Sequence, residues 1–390
     1  MTTMGMGQMQ QSGLGAPLEG LVVADFSRVL AGPMATMMLA DLGARVIKIE
    51  RPGTGDETRT WGPPWSAHGA TYYEGVNRSK ESISLDLRDP GDRATALEIA
   101  TAADVVIENF KPGTMERLGL GYPVVTERNP GVVYCSITGF GSAGGAELPG
   151  YDFVVQAVGG LMSITGDPDG DPMKVGVALV DVLSGNHAVI GILAALRGRE
   201  RTGRGDRIEV NLLSSLLSSL VNQAQAYLET GVPPRSLGND HPSIAPYGTL
   251  RARDGIFAVA CGNDTQFRRL CAALAVPELA DDDHFATNTA RVTNRAALIT
   301  ALEAALAGQD TAHWVSALTA AGVPVGPVND LGAAVALAES LGLEPTVEVG
   351  EGWSRQVRHP VSWTAYQPAA STPPPANGEH RQQVLDWLES

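Results

Sequence analysis

The run VGVALVDVLSGNHAVIGILAAL, residues 175–196, holds a single charged side chain, Asp181. Apolar surroundings oppose the ionisation of a carboxylate unless something compensates. Two arrangements fit the local residues. In the first, Asp181 is the N-cap of a helix starting at Val182, its oxygens accepting backbone N–H groups, with Ser184 as a rival cap. In the second, it sits at the helix N-terminus in an apolar cleft, where the helix dipole keeps it ionised as a nucleophile or base. The two readings are compatible. His187 follows six positions later, on a different helical face, so no simple Asp–His dyad is expected. Tyr151, in PGYDFVVQAVGG, reads locally as a half-buried aromatic at the start of an apolar segment.

Other chemistries lack their patterns. The first strand-to-helix turn is Val29-Leu30-Ala31-Gly32-Pro33, without the GxGxxG that lets a pyrophosphate approach the backbone. A nicotinamide cofactor is therefore not expected, although Glu50 stands where a ribose-binding acid would. GxxxxGK[ST], GxSxG and HExxH do not occur, and the seven histidines show no ligand spacing, so no metal is assigned. SITGDPDGDP (163–172) reads as a surface turn without EF-hand spacing.

The elements that must position these residues alternate. Residues 20–27, 45–50, 82–87, 104–108 and 132–138 have strand character. Helices at 34–43 and 90–101 separate them, the first with Pro33 at its start and Gly43 at its end, the second opened by Asp89-Pro90. Strands joined by crossover helices predict a parallel, doubly wound α/β sheet with ligands beyond its carboxyl ends. Those ends carry Arg28, Arg51 and Lys111, with Arg78 and Lys80 expected to join them, a rim suited to phosphate. Beyond Gly203 come a turn and strand (GRGDRIEVNLL), a long helix at 213–229 and a loop at 231–248. A smaller α+β region follows, with a strand at 256–262 and helices at 265–275, 294–307 and 311–321. The chain ends with a Pro-rich segment and a helix at 381–388.

A length of 390 residues implies two domains. With 28 basic against 43 acidic residues the net charge is −15, which argues against a nucleic-acid partner. No uncharged apolar run approaches the roughly 18 residues of a membrane span. Residues 1–16 (MTTMGMGQMQQSGLGA) lack the plan of a signal peptide and read as a disordered leader. Cys135, Cys261 and Cys271 are odd in number and without CxxC spacing. This favours a reducing cytoplasm over a disulfide or zinc framework.

Taken in order, DFSRVLAGP, LADLGARVIKIERPGTGDETR, NRSKESISLDL, ADVVIENFKPGTMERLGLGY, SITGFG, GYDFVVQAVGGLMSITG, ALVDVLSGNHAVIGILAALRGRERTGRG and GNDHPSIAPYG resemble the class III CoA-transferases, the CaiB/BaiF family. That family includes formyl-CoA transferase, carnitine CoA-transferase and the divergent alpha-methylacyl-CoA racemases. The resemblance implies a Rossmann-like large domain built from both chain ends, a smaller α+β domain, and an interlocked homodimer. It assigns 17–215 to the large domain, 216–248 to a linker helix and loop, 249–330 to the small domain and 331–390 to a return segment. It further implies a transfer of CoA from an acyl-CoA donor to a carboxylic acid, with no metal or nicotinamide.

By the same resemblance Asp181 is the nucleophile, passing through an acyl anhydride and an aspartyl-CoA thioester, and Tyr151 is a substrate-positioning hydroxyl. CoA contacts fall on Val29, Leu30, Ala31, Arg51, Asn77, Arg78, Ser79, Lys80, Asn109, Phe110 and Arg117. Leu30 replaces a family glutamine and a glycine-rich loop is missing, which counts against oxalate. The alternative is an acyl-CoA racemase with Asp181 as one base. Its branch carries histidine where this chain has Tyr151, and a neutral phenol is a poor base at pH 7. A non-catalytic CoA-binding protein would leave Asp181 as a mere cap.

Overall fold

A computed structural model describes residues 14–390. The chain forms two compact units, one of residues up to Leu161 with Val175–Val232 and Glu344–Ser390, the other of Met162–Lys174 and Pro233–Leu343. The sequence had drawn the small domain at 249–330; the second unit also takes in 162–174, 233–248 and 331–343. Of the expected leader, residues 1–13 lie outside the described residues, and Leu14 already donates its N–H to the Ala365 carbonyl at 3.1 Å.

In the first unit β1 (Val22–Asp25), α1 (Ala31–Asp41), β2 (Arg45–Glu50), β3 (Lys80–Ser84), α2 (Pro90–Ala102), β4 (Val105–Glu108), α3 (Tyr122–Arg128) and β5 (Val133–Thr138) follow one another, with β6 (Arg207–Asn211) later. They make the expected parallel sheet, six strands in the order β3-β2-β1-β4-β5-β6. The order reverses between β1 and β4, so the loops leaving these two strands diverge and open a crevice. Central strands such as VVAD and VVIE are buried on both faces, as a sheet covered by helices on each side requires. Local signals act as read at α2, where the Asp89 carboxylate accepts from Gly91 and Asp92 N–H at 2.8 and 3.0 Å. The expected strand at 82–87 is shifted to Lys80–Ser84, because its partner β2 ends at Glu50 and the register pairs Glu50 with Ser84.

The helices that matter most come after β5. They are α4 (Asp152–Val158), α5 (Leu179–Thr202), α6 (Leu212–Ser219) and α7 (Val221–Thr230). The sequence predicted one helix at 213–229. It is interrupted at Leu220–Val221, where Val221 takes φ 37°. Helix α5 has 24 residues and ends at Gly203, whose left-handed φ of 69° supplies the C-cap. By length and composition it could cross a membrane. Within the first unit it buries Val180, Ser184, Gly185, Ala188, Val189, Ile192 and Leu196. Its closest approach is to α1: a Cβ on Gly185 would stand 2.8 Å from the Ala31 carbonyl oxygen.

The second unit carries its own antiparallel sheet of Tyr247–Arg251, Ile256–Ala260 and Val325–Pro327. Helices at Asp264–Ala273, Arg295–Leu306 and Thr311–Ala320 pack against it around Phe257, Leu270, Leu302 and Leu318. The strand in GVPVGPV and the helix Leu331–Ser340 had no counterpart in the sequence reading.

Candidate active site

Asp181 occupies the first turn of α5 but is not its cap. The N-cap position is Ala178, and no side chain from within the helix caps it. The capping comes from α4. Asp152, the first residue of that helix, directs Oδ2 at the N-terminus of α5 and accepts from the N–H groups of Val180 and Asp181 at 2.7 and 3.3 Å. Its Oδ1 accepts from Gln156 Nε2 at 2.6 Å, and Gln156 Oε1 accepts from the Val175 N–H at 2.9 Å. Ser184 does not cap either; its hydroxyl donates back to the Val180 carbonyl at 2.8 Å. Both cap readings from the sequence are thus corrected. So is the expectation that the helix N-terminus keeps Asp181 ionised, since the amides that would do so are occupied by Asp152. Burial, and after it the charge of Asp152, push Asp181 up to about 7. Tyr72, in the short helix Thr71–Glu74, is pushed up to about 12 by burial and then by Asp181 and Asp152, which places its phenol in the same electrostatic neighbourhood.

Asp181 lines a cleft of about 350 Å³ at the carboxyl ends of β1, β4 and β5. Gly185 is one helical turn further on the same face, so its contact with Ala31 sets Asp181 beside the Val29–Ala31 turn. That turn is held from below. Val29 takes φ 71°, costly for a β-branched residue, and its N–H donates to the Asp56 carboxylate at 3.2 and 3.3 Å. Across the crevice Asn109 binds the backbone of Arg28 twice: Oδ1 accepts from its N–H at 2.8 Å and Nδ2 donates to its carbonyl at 2.7 Å. The Arg28 guanidinium lies over the Phe110 ring, 4.9 Å from its centroid, and pairs with Glu57 at 2.6 Å. Phe110 donates its N–H to Glu108, which burial pushes up to about 7. Gly139 and Gly150 close the far wall back to back, where a Cβ on Gly139 would stand 2.4 Å from the Gly150 Cα.

The structure therefore brings Val29, Leu30, Ala31, Asn109, Phe110, Tyr151 and Asp181 onto one cleft, together with Arg28 and Lys111. Tyr151 is 60% exposed there rather than half-buried. Arg51 lies in an adjoining cleft of about 440 Å³ that shares Arg28 and Phe110 and adds Leu85 and Arg88. Asn77 to Lys80 lie in neither. Arg78 is buried in an ion pair with Asp41 at 2.5 Å, and Ser79 exchanges two hydrogen bonds with the backbone of Thr372. Lys80 is fully buried, its ammonium donating to Asp25, Pro33 and Asn77 oxygens. Burial holds this lysine down at about 8. Lys80 also lines a cavity of about 580 Å³ between Ala70–Glu74 and Pro373–Asn377, whose lining does not include Asp181. Arg117 donates to Thr114 at 2.9 Å in the short helix Thr114–Arg117, outside the lining of both clefts.

Sequence reasoning missed Asp152, Tyr72 and Arg88. Asp152 adjoins Tyr151 and starts a helix, a local cap signal, but its true partner begins 28 positions away, which no local pattern conveys. Among the described residues no group of three or more His, Cys, Asp or Glu side chains is arranged to hold a metal ion.

A doubly wound sheet whose switch-point cleft presents one unmatched aspartate agrees with what the comparisons find. The sequence pattern of CoA-transferase family III matches residues 18–381, and the chain belongs to that family. It is therefore a CoA-transferase, an enzyme acting on CoA thioesters. It is 41% identical to succinyl-CoA:glutarate CoA-transferase of Mus musculus, over 95% of this chain and 86% of the relative. Identity to acetyl-CoA:oxalate CoA-transferase of Acetobacter aceti is 45%, over 86% of each chain. Identity to succinate–glutarate CoA-transferase of Agrobacterium fabrum is 43%, over 96% of each. The crystal structure of a CaiB/BaiF family protein from Brucella suis superposes with a TM-score of 0.86 at 42% identity, covering 96% of this chain and all of that one.

Proposed function

We propose that the enzyme moves CoA from an acyl-CoA to a short dicarboxylic acid by covalent catalysis at Asp181. The carboxylate oxygen attacks the thioester carbonyl, the C–S bond breaks and CoA leaves as the thiolate, giving an aspartyl–acyl anhydride. The thiolate then attacks Cγ of Asp181 and expels the donor acid, leaving an aspartyl-CoA thioester. The acceptor carboxylate attacks that Cγ, releases the thiolate and forms a second anhydride. Thiolate attack on the acceptor's carbonyl completes the new thioester and restores Asp181. Protons balance throughout, and each barrier is lower than that of one concerted exchange.

The observation that carries this reading is the position of Asp181 on the switch-point cleft beside the N-terminus of α1, a helix without a side-chain cap. Its first-turn N–H groups have no partner within the helix. They are assigned here to the oxyanion that each tetrahedral intermediate develops. Val29, Leu30, Ala31 and Phe110 are assigned to the pantetheine arm, Arg51 with Arg28 to the CoA phosphates, and Tyr151 to the acyl group. Asn109 lines the cleft and is assigned to fixing the Arg28 backbone beside it, while Asn77, Arg78, Ser79, Lys80 and Arg117 are assigned supporting roles outside its lining. The dicarboxylate acceptor rests on the relatives, whose names give glutarate and oxalate as acceptors. Lys111 is the wall cation assigned to the distal carboxylate.

The homodimer reading is supported by the exposed apolar side chains of α4, α5 and α7, where Phe153, Val158, Ile190, Val221 and Leu228 are each more than half exposed. Three free, buried cysteines support a cytoplasmic location.

The test is chemical trapping. Incubation with succinyl-CoA followed by hydroxylamine yields a hydroxamate on the peptide containing Asp181, detected by mass spectrometry, and glutarate discharges the adduct. Exchange of the substrate α-proton in deuterated water without an adduct would overturn the transferase mechanism. Sedimentation as a monomer would overturn the dimer.

A further inference from the structure

We infer that Asp152 is a positioning residue that withdraws the helix N-terminus from Asp181 and so keeps the Asp181 carboxylate basic. The geometry is specific. Asp152 accepts both N–H groups that open α5, and Gln156 fixes its other oxygen, while Gln156 is itself fixed by the Val175 N–H. An aspartate three residues into a helix would ordinarily draw on those amides and on the helix dipole, and would be more acidic for it. Here the donors are occupied by a second carboxylate.

The other groups facing Asp181 do not supply compensation. From the short helix at 71–74 comes the Tyr72 phenol, held protonated by its raised pKa, and from the N-cap of α4 the Tyr151 side chain, which carries no cation. The two cations on the cleft wall are already matched, Arg28 by Glu57 at 2.6 Å and Lys111 by Glu147 at 2.5 Å. His187, further along α5, lies on another face.

The inference rests on the covalent mechanism proposed above and gives it a chemical purpose. An ordinary aspartate is a far weaker base than a thiolate, whose thiol titrates near 8.5. Exchanging a thioester for an anhydride of such an acid runs uphill. Raising the basicity of Asp181 narrows that gap at the first anhydride-forming step, where it is the attacking base, and makes the carboxylate a better nucleophile. The burial and the like charge already described act in the required direction.

The experiment reads Asp181 directly and does not require turnover. Carbodiimide-mediated labelling with glycine ethyl ester is followed by peptide mass spectrometry from pH 5 to 8.5, normalised to surface carboxylates in the same digest. In the wild type the midpoint for Asp181 lies near 7; in Asp152→Asn it falls by roughly one pH unit, and the acid limb of kcat/KM moves with it. At pH 8 the kcat of that variant drops about tenfold while KM for the acyl-CoA holds. Asp152→Glu keeps a carboxylate within reach of the same two N–H groups, so its midpoint stays near that of the wild type. An unchanged midpoint in Asp152→Asn overturns the inference. So does an ordinary aspartate midpoint in folded Asp152→Glu, which remains informative if Asp152→Asn fails to fold. A midpoint that shifts as expected while no aspartyl adduct is ever trapped leaves the inference standing and sinks the covalent mechanism.

Discussion

Two regions of the first unit bury carboxylates within one sheet's reach of each other, with opposite results. Beneath the Val29 turn, at the ends of β1, β2 and β3, Asp25, Asp56 and Glu50 share the interior with Lys48, Lys80 and Arg59. Burial opposes the ionisation of all three acids. Lys80 and Lys48 overcome it for Asp25, Lys48 for Asp56 and Arg59 for Glu50, so each is held below the usual carboxylate range. At the start of α5 burial acts on Asp181 in the same way, but the nearest charge is another carboxylate, and the group is pushed up instead. Lys80 shows that the balance is local. It is depressed even beside Asp25, because burial outweighs the pairing and Lys48 adds to the depression. The lesson is that burial alone does not set a carboxylate's basicity; whether a cation shares the interior decides the direction.

The comparison can be broken most sharply at the nucleophile. Asp181→Asn lowers kcat for CoA transfer by at least about 10³-fold, measured by exchange between succinyl-CoA and glutarate, with the protein still folded by circular dichroism. The next largest effect is on stability. Lys48→Met strands Asp56 and removes one of two cations from Asp25, at a cost of about 3–5 kcal/mol, measured by urea denaturation at pH 7. Because the acids of that cluster are depressed, their contribution is present above pH 4 and is lost as pH falls through their lower folded values. The gap between Lys48→Met and wild type therefore narrows in acid.

Gly185→Val tests the seating of Asp181. A Cβ there meets the Ala31 carbonyl at 2.8 Å and forces α1 and α5 apart. A drop of about tenfold in kcat/KM is expected, whereas Gly198→Ala, with open space around it, leaves kcat/KM unchanged. The smallest effect sharpens the contrast. A raised carboxylate disfavours the folded state once it must ionise, so the penalty grows between pH 4 and 7 and persists above. Asp181→Asn accordingly raises the melting temperature by about 2 °C at pH 8 and leaves it unchanged at pH 4. A rise at both pH values would show that the charge is not the cause.

The sheet was legible because alternation of strand and helix is written in local composition, and strand ends locate a crevice without any knowledge of packing. Arg28 and Lys111 stand at strand ends on the cleft with Asp181, and Arg51 on the adjoining one. Lys80 stands on neither, because whether a cation at a strand boundary turns outward or pairs with Asp25 depends on a neighbouring strand. The capping of α5 was misread for a related reason. Asp181 and Ser184 carry the right chemistry at the right place, but Asp152 reaches the same amides across space and displaces them. The strand Val325–Pro327 was hidden by its three-residue length and its Gly-Pro context, against the usual strand statistics. The helix Leu331–Ser340 carries a local signal in Asp330, which accepts from the Ala333 N–H at 2.8 Å and caps it.

One carboxylate belongs to both halves of the comparison. Asp56 neutralises Lys48 and also holds the Val29 N–H that keeps the turn over the cleft in its strained form. The protein's resistance to acid and the shape of its substrate passage thus hang on a shared atom pair. For anyone diversifying this enzyme, that removes a degree of freedom: libraries at Asp56 or Lys48 will alter specificity and foldability together. The opposite wall, built on Tyr151 and Lys111, stands clear of the cluster and is where new acceptors can be sought without risking the fold.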